Sequence, residues 1–140
     1  MSGHRLALAL SALSHDDTRT TRREVLVALA ESELLFPAAE PEPGEPALSL
    51  AYTQDEAGRP LLPGFTDQRR LAAWAPGSPY VRAEASVFLP TILAGPFVGL
   101  LLDAGSGVSV LVRRRALEML ASGAMPSMEG GASSLVIRWG

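Results

Sequence analysis

The sequence predicts an α+β fold, a single domain with a mixed β-sheet of about five strands flanked by helices. Three observations predict it. Apolar residues recur at helical spacing in the first thirty residues and again from Arg113 to Ala121. Leu48, Leu50 and Tyr52, and later Val108, Val110 and Val112, alternate with small or polar residues, the pattern of strands with one buried face. The run Val98–Leu102 is apolar without a break, as a strand covered on both faces requires. A chain of 140 residues holds one core of useful size, and a second independent one is not expected.

Taken in order, Leu6, Leu10 and Leu13 define a first helix over Gly3–Leu13. His15-Asp16-Asp17-Thr18 follows as a capping segment for a second helix that buries Val25, Leu26, Leu29 and Ala30 and frays near Ser32. Leu34–Ala38 reads as a short strand. Ala39 to Pro46 interleaves three prolines with three glutamates, which removes ladder donors and adds mutual repulsion, so a solvated surface loop is expected. Ala47–Gln54 is read as one half-buried strand, Asp55-Glu56-Ala57-Gly58 as a turn and Arg59–Phe65 as the returning partner.

Thr66 and Asp67 cap a helix carrying Leu71 and Trp74, stopped by Pro76-Gly77. After a brief strand at Tyr80–Ala83, Pro90 limits the next helix to a start near Val87 or later, where a missing N–H costs little. Val98–Leu102 and Val108–Val112 are strands around an Asp103–Gly107 turn. Arg113–Ala121 is a helix with Leu117 and Leu120 inward, ended by Gly123. A Gly, Ser and Met rich stretch, Ala124–Ser134, leads to a terminal strand, Leu135–Trp139.

Composition excludes several chemistries. The absence of Cys removes disulfides, zinc–thiolate sites and cysteine catalysis. All 12 basic residues are Arg, and the net charge of −3 gives no reason to expect nucleic acid as a partner. The apolar start is read as an amphipathic helix and not a secretion signal. Phe88–Leu102 is shorter than the ~20 residues that cross a bilayer and is broken by Pro and Gly, so no membrane partner and a cytoplasmic location are expected.

Candidate sites are few. His4 and His15 stand apart, and the adjacent side chains of His15-Asp16-Asp17 diverge, so capping is expected there and no metal. Ser106 between two glycines lacks the surroundings of a nucleophile elbow, and the nearby glycines match neither a phosphate loop nor a dinucleotide fingerprint. No catalytic residue and no cofactor are therefore assigned. Arg113, Arg114 and Arg115 place three cations where they oppose the helix dipole, by about 0.3–1 kcal/mol each. They are read as a partner-facing rim or a solvated face offset by Glu118, with Arg69-Arg70 joining the patch if the fold allows. Trp139, in a strand behind a Gly-rich stretch, is the other candidate contact: the strand docks on its own sheet, docks on a neighbour's, or stays a disordered tail.

Leu26–Pro37, Leu61–Trp74 with its Pro63-Gly64-Phe65-Thr66 lead-in, and Val98–Leu120 together resemble the N-terminal domain of the SseB family, named from a type III secretion protein. The resemblance covers about residues 20–123, so residues 1–123 are taken as the domain and 124–140 as a flexible segment with a terminal strand. Where relatives carry an Asn-Pro-Gly turn, this chain has Asp103-Ala104-Gly105. The resemblance implies an α/β sandwich-like recognition domain and brings no catalytic residues. The expected function is a non-catalytic protein-interaction domain whose partner is another protein, a homo-oligomer through the terminal strand being one form. One alternative is a small-molecule binder or minor enzyme, which requires Asp103, Arg113 and Glu118 to line one concavity. Another, suggested by the family name, is a chaperone or adaptor for a secreted substrate.

Overall fold

Two helices open the chain, α1 (Ser2–His15) and α2 (Arg19–Ala30), followed by β1 (Glu33–Ala39), β2 (Ser49–Leu50), β3 (Thr53–Gln54) and β4 (Pro60–Gly64). Then come α3 (Gln68–Trp74), β5 (Tyr80–Glu84), α4 (Ala85–Ala94), β6 (Gly99–Leu102), β7 (Val108–Arg113), α5 (Arg114–Ala121) and β8 (Leu135–Trp139). The structure is a computed structural model that describes residues 2–39, 49–105, 108–123 and 135–139. The Pro/Glu stretch 40–46, Ser106 and the stretch 124–134 lie outside the described residues.

The expected mixed five-stranded sheet is present, ordered β3-β4-β6-β7-β8, with β4 and β6 parallel and the other pairs antiparallel. A second sheet, antiparallel and ordered β2-β1-β5, stands beside it. Two hydrogen bonds join them: Leu35 N–H to the Phe65 carbonyl at 2.9 Å, and Phe65 N–H to the Leu35 carbonyl at 2.8 Å. Odd residues of β1 therefore turn their backbone groups toward β4, which explains Pro37. Its missing N–H lies on the side where only its carbonyl is used, accepting from Ala51 N–H at 2.9 Å.

Period-two alternation distributes the core over two faces of the sheets. Leu34, Phe36, Leu62, Leu100, Leu102, Val110 and Val112 face α1, α2, α4 and α5. Leu35, Leu61, Phe65, Leu101 and Leu111 face the other way, onto Leu71 of α3, with Trp74 at the margin. Two aromatic contacts among the described residues follow this division, Phe36 with Phe88 at 5.5 Å between ring centroids and Phe65 with Trp74 at 5.7 Å. Strand β6 is buried along its whole length, as its unbroken apolar run requires.

The turn after β3 forms as expected. Asp55 accepts from Ala57 N–H at 2.9 Å and Arg59 N–H at 2.8 Å, and Gly58 takes φ +80°. Three expectations are corrected. Ala47–Gln54 is not one strand: β2 pairs with β1 and β3 with β4, so the chain passes from one sheet to the other at Ala51-Tyr52, leaving Tyr52 60% exposed. The helix containing Pro90 begins at Ala85, not near Val87, and Pro90 lies on its exposed side. There the unused Ser86 carbonyl faces water and costs little. On α2, Ala28 takes the buried position expected of Ala30, which is exposed.

Candidate functional site

The parallel strands β4 and β6 end side by side, and polar groups gather just beyond their carboxyl ends. Asp103 follows β6 with φ +53°, a left-handed conformation that Asp tolerates better than most residues. Its carboxylate is buried and accepts from Thr66 N–H at 2.9 Å and from the Thr66 hydroxyl at 2.9 Å, with Arg70 Nε 3.8 Å away. Asp67 caps α3 by accepting from Arg70 N–H at 2.8 Å and also holds the Arg70 guanidinium. Thr66, expected as a cap, instead ties the start of α3 to the β6–β7 turn across the sheet.

Burial pushes the Asp103 carboxyl above the ordinary carboxylate range, while the Thr66 N–H, the Thr66 hydroxyl and Arg70 pull it back and Asp67 adds to the rise. Such a group contributes most to stability below its unfolded pKa, and the contribution is lost as pH rises through the higher folded pKa. An Asn at this position keeps an acceptor for Thr66 N–H and the tolerance of positive φ, and carries no charge to desolvate. Asp103→Asn is expected to be more stable than the natural protein at pH 7, with the difference shrinking toward pH 4. Asp103→Ala, which strands both Thr66 donors, is expected to lose about 1–3 kcal/mol. Urea titrations across that pH range check both. Equal stability of the Asn variant and the natural protein at every pH would show that the buried charge carries no penalty.

The three groups a small-molecule pocket would need do not meet. Asp103 lies beyond one end of β6, Arg113 pairs with Gly99 at the other, and Glu118 is an ion-pair partner of Arg114 at 3.5 Å on α5. The arginine triplet also divides. Arg114 reaches back to the carboxyl end of α4 and donates to the carbonyls of Leu93, Gly95 and Phe97, the last at 2.9 Å. It thereby satisfies groups the helix leaves open. Arg113 and Arg115 are exposed. Arg69 and Arg70 sit on α3, across the sheet from α5, so they do not join this patch. The backbone of the terminal strand docks on its own sheet, Val108 opposite Trp139 and Val112 opposite Leu135.

At the amino end of the chain the cap of α2 is Thr18, and the side chains of His15 and Asp17 are engaged elsewhere. Thr18 and Thr21 exchange a reciprocal box, Asp17 is held by Arg22 at 2.6 Å, and the His15 ring contacts the Ser11 carbonyl at 2.8 Å. Among the described residues no group of three His, Asp or Glu side chains is placed to hold a metal ion, and no helix is long and apolar enough to cross a membrane.

The surface that sequence reading missed is on β5. Val81 and Ala83 are the hydrogen-bonded partners of Phe36 and Leu34, so Tyr80, Arg82 and Glu84 turn their N–H groups outward, where they meet no partner among the described residues. Beside this open edge lies an apolar groove of about 80 Å³, floored by Phe36, Leu62 and Phe88 and rimmed by Val81, Val87 and Thr91. Val81 is 39% and Val87 54% exposed. The Thr91 hydroxyl is spent on the Val87 carbonyl at 2.8 Å, so the groove offers no polar grip. Its signal in the sequence was Val87, an apolar residue on the same side of α4 as Ser86 and Thr91.

No curated protein and no solved structure matches the chain. A family model, SseB protein N-terminal domain, matches residues 6–119, which takes the likeness back through α1, whose Leu6 and Leu13 are fully buried in the core. With that span of sequence covered, and the helix, strand and turn order described above, the chain belongs to the SseB N-terminal domain family.

Proposed function

We propose that this domain works by binding another protein and not by catalysing a reaction, with the open edge of β5 and its apolar groove as the binding surface. The observation that carries this is their adjacency: an unpaired backbone ladder beside a groove that accepts an apolar side chain is the arrangement strand-adding recognition uses. The edge carries no Pro, and its two charged residues, Arg82 and Glu84, are of opposite sign. A cytoplasmic location is part of this reading, supported by the use of the apolar N-terminal helix as core. Arg113 and Arg115 define a second candidate surface, and the backbone of Trp139, opposite Val108, lies at the other end of β7 from Arg113.

Affinity capture from the native host with the natural protein, Val87→Asp and the pair Arg113→Ala/Arg115→Ala tests it. Recovery of a specific partner is expected to fall at least ~10-fold with Val87→Asp and to be unchanged with the arginine pair, a charge in the groove costing a few kcal/mol of apolar contact. Loss with the arginine pair alone would move the surface to the rim. Absence of any protein enriched over an unrelated domain would sink the proposal.

A further inference from the structure

We infer that β5 pairs with β5 of a second copy of this chain, antiparallel across a two-fold axis at Ala83. This rests on the reading of the β5 edge as a binding surface and names the occupant. The motivating feature is a charge imbalance on the strand. Across β1 and β5, Glu33 stands directly opposite Glu84, two like charges on one face of the sheet. Arg82 serves Glu33, at 3.4 Å. Glu84 receives a hydroxyl from Ser86 at 3.1 Å, and among the described residues it has no cation within ion-pair distance. The face lacks one positive charge, and it lacks it at the open edge.

The strand itself supplies that charge when turned end for end. In an antiparallel pair, residues whose backbone groups face the joint must oppose one another. Placing the axis at Ala83 sets Arg82 opposite the second copy's Glu84 and, by symmetry, Glu84 opposite the second copy's Arg82. The tripeptide Arg82-Ala83-Glu84 is thus its own antiparallel complement, and each Arg82 lies between Glu33 of its own chain and Glu84 of the other. Ala83 is the residue on the axis, where the side chains of the two copies come closest and a small one is needed. The Glu84 N–H, open in one copy, donates to the Arg82 carbonyl of the other. The result is a continuous sheet ordered β2-β1-β5-β5-β1-β2, with the exposed Val81 and Val87 of both copies on the same side of the joint. A two-fold contact of this kind closes on itself and does not propagate.

With the axis at Ala83 the two strands overlap over Arg82–Glu84, since α4 begins at Ala85, and so short a joint with a helix rim falls at or below the small end of specific interfaces, so a dissociation constant of roughly 10 µM to 1 mM is expected. Sedimentation equilibrium of the full chain from 10 µM to 2 mM measures it. Arg82→Glu and Glu84→Arg each set like charges together twice, and each is expected to weaken self-association at least ~10-fold. The double variant R82E/E84R restores opposite charges and is expected to return within ~3-fold of the natural protein. So is an equimolar mixture of the two single variants, which pair only with each other. Because these residues are exposed, far-UV circular dichroism is expected to be unchanged in all of them. A chain that stays monomeric at 2 mM, or a dimer indifferent to all three variants, overturns the inference. Neither result touches the capture of a different protein through the Val87 groove, so failure of this pairing and failure of the proposed function are separable.

Discussion

Replacing Phe65 by Ala is expected to lower stability by about 3–5 kcal/mol, the range for removing a fully buried aromatic side chain. Phe65 has no exposed surface, and its ring fills the space between Leu71 and Trp74 of α3 and the undersides of β1, β6 and β7. The site has little means of collapsing around the void, because one flank is a seven-residue helix and the other is sheet. For a chain of this length the loss corresponds to a fall in Tm on the order of 10–20 °C. Phe65→Leu, which keeps most of the volume, is expected to recover more than half of it. The two backbone hydrogen bonds to Leu35 survive either change, so urea unfolding of the pair isolates the side chain from the bridge it sits on. A loss below ~1 kcal/mol for Phe65→Ala would mean that this face of the sheet is not packed as described.

Arg114→Met is the second large effect, about 1.5–3 kcal/mol. The substitution keeps the aliphatic stem and removes a charged donor shared by three carbonyls at the end of α4, each half-buried and with no other described partner from a side chain. Lys cannot replace it, since one ammonium does not span the three acceptors that a planar fork reaches, and Arg114→Lys is expected to lose most of the same energy. Arg113→Ala and Arg115→Ala, on exposed side chains, are expected within about 0.5 kcal/mol of the natural protein. Thermal unfolding of the four variants separates the neighbours. If Arg114→Met behaves like Arg115→Ala, the guanidinium is not holding the helix end.

Most of the fold was legible because it rests on local patterns. Val110 and Val112 against Leu111, or Leu62 against Leu61, state by alternation which face each residue takes, and Asp55 with Gly58 states the turn. What was not legible depends on partners distant in sequence. Leu48–Gln54 carries one strand's pattern, and only the separate pairings of β2 with β1 and β3 with β4 break it at Tyr52. The triplet Arg113–Arg115 looks uniform, yet the middle guanidinium alone finds carbonyls some twenty residues away, at 17 to 21 positions' separation. The tie between Thr66 and Asp103 spans 37 positions and could not be inferred from a capping preference. The β5 edge escaped notice for a related reason: whether a short strand lies at the rim or the centre of a sheet is decided by its neighbours, not by its own residues.

The contrast between β6 and β5 has a consequence for how the chain tolerates change. Every position of Gly99–Leu102 is enclosed, so a library of random substitutions should return almost nothing but volume-matched apolar survivors there. On Tyr80–Glu84 Val81, Arg82 and Glu84 are exposed, and replacements of any polarity at those three positions should leave folding intact. Divergence of binding preference between relatives can therefore accumulate on the second strand without any toll on the scaffold that the first one anchors.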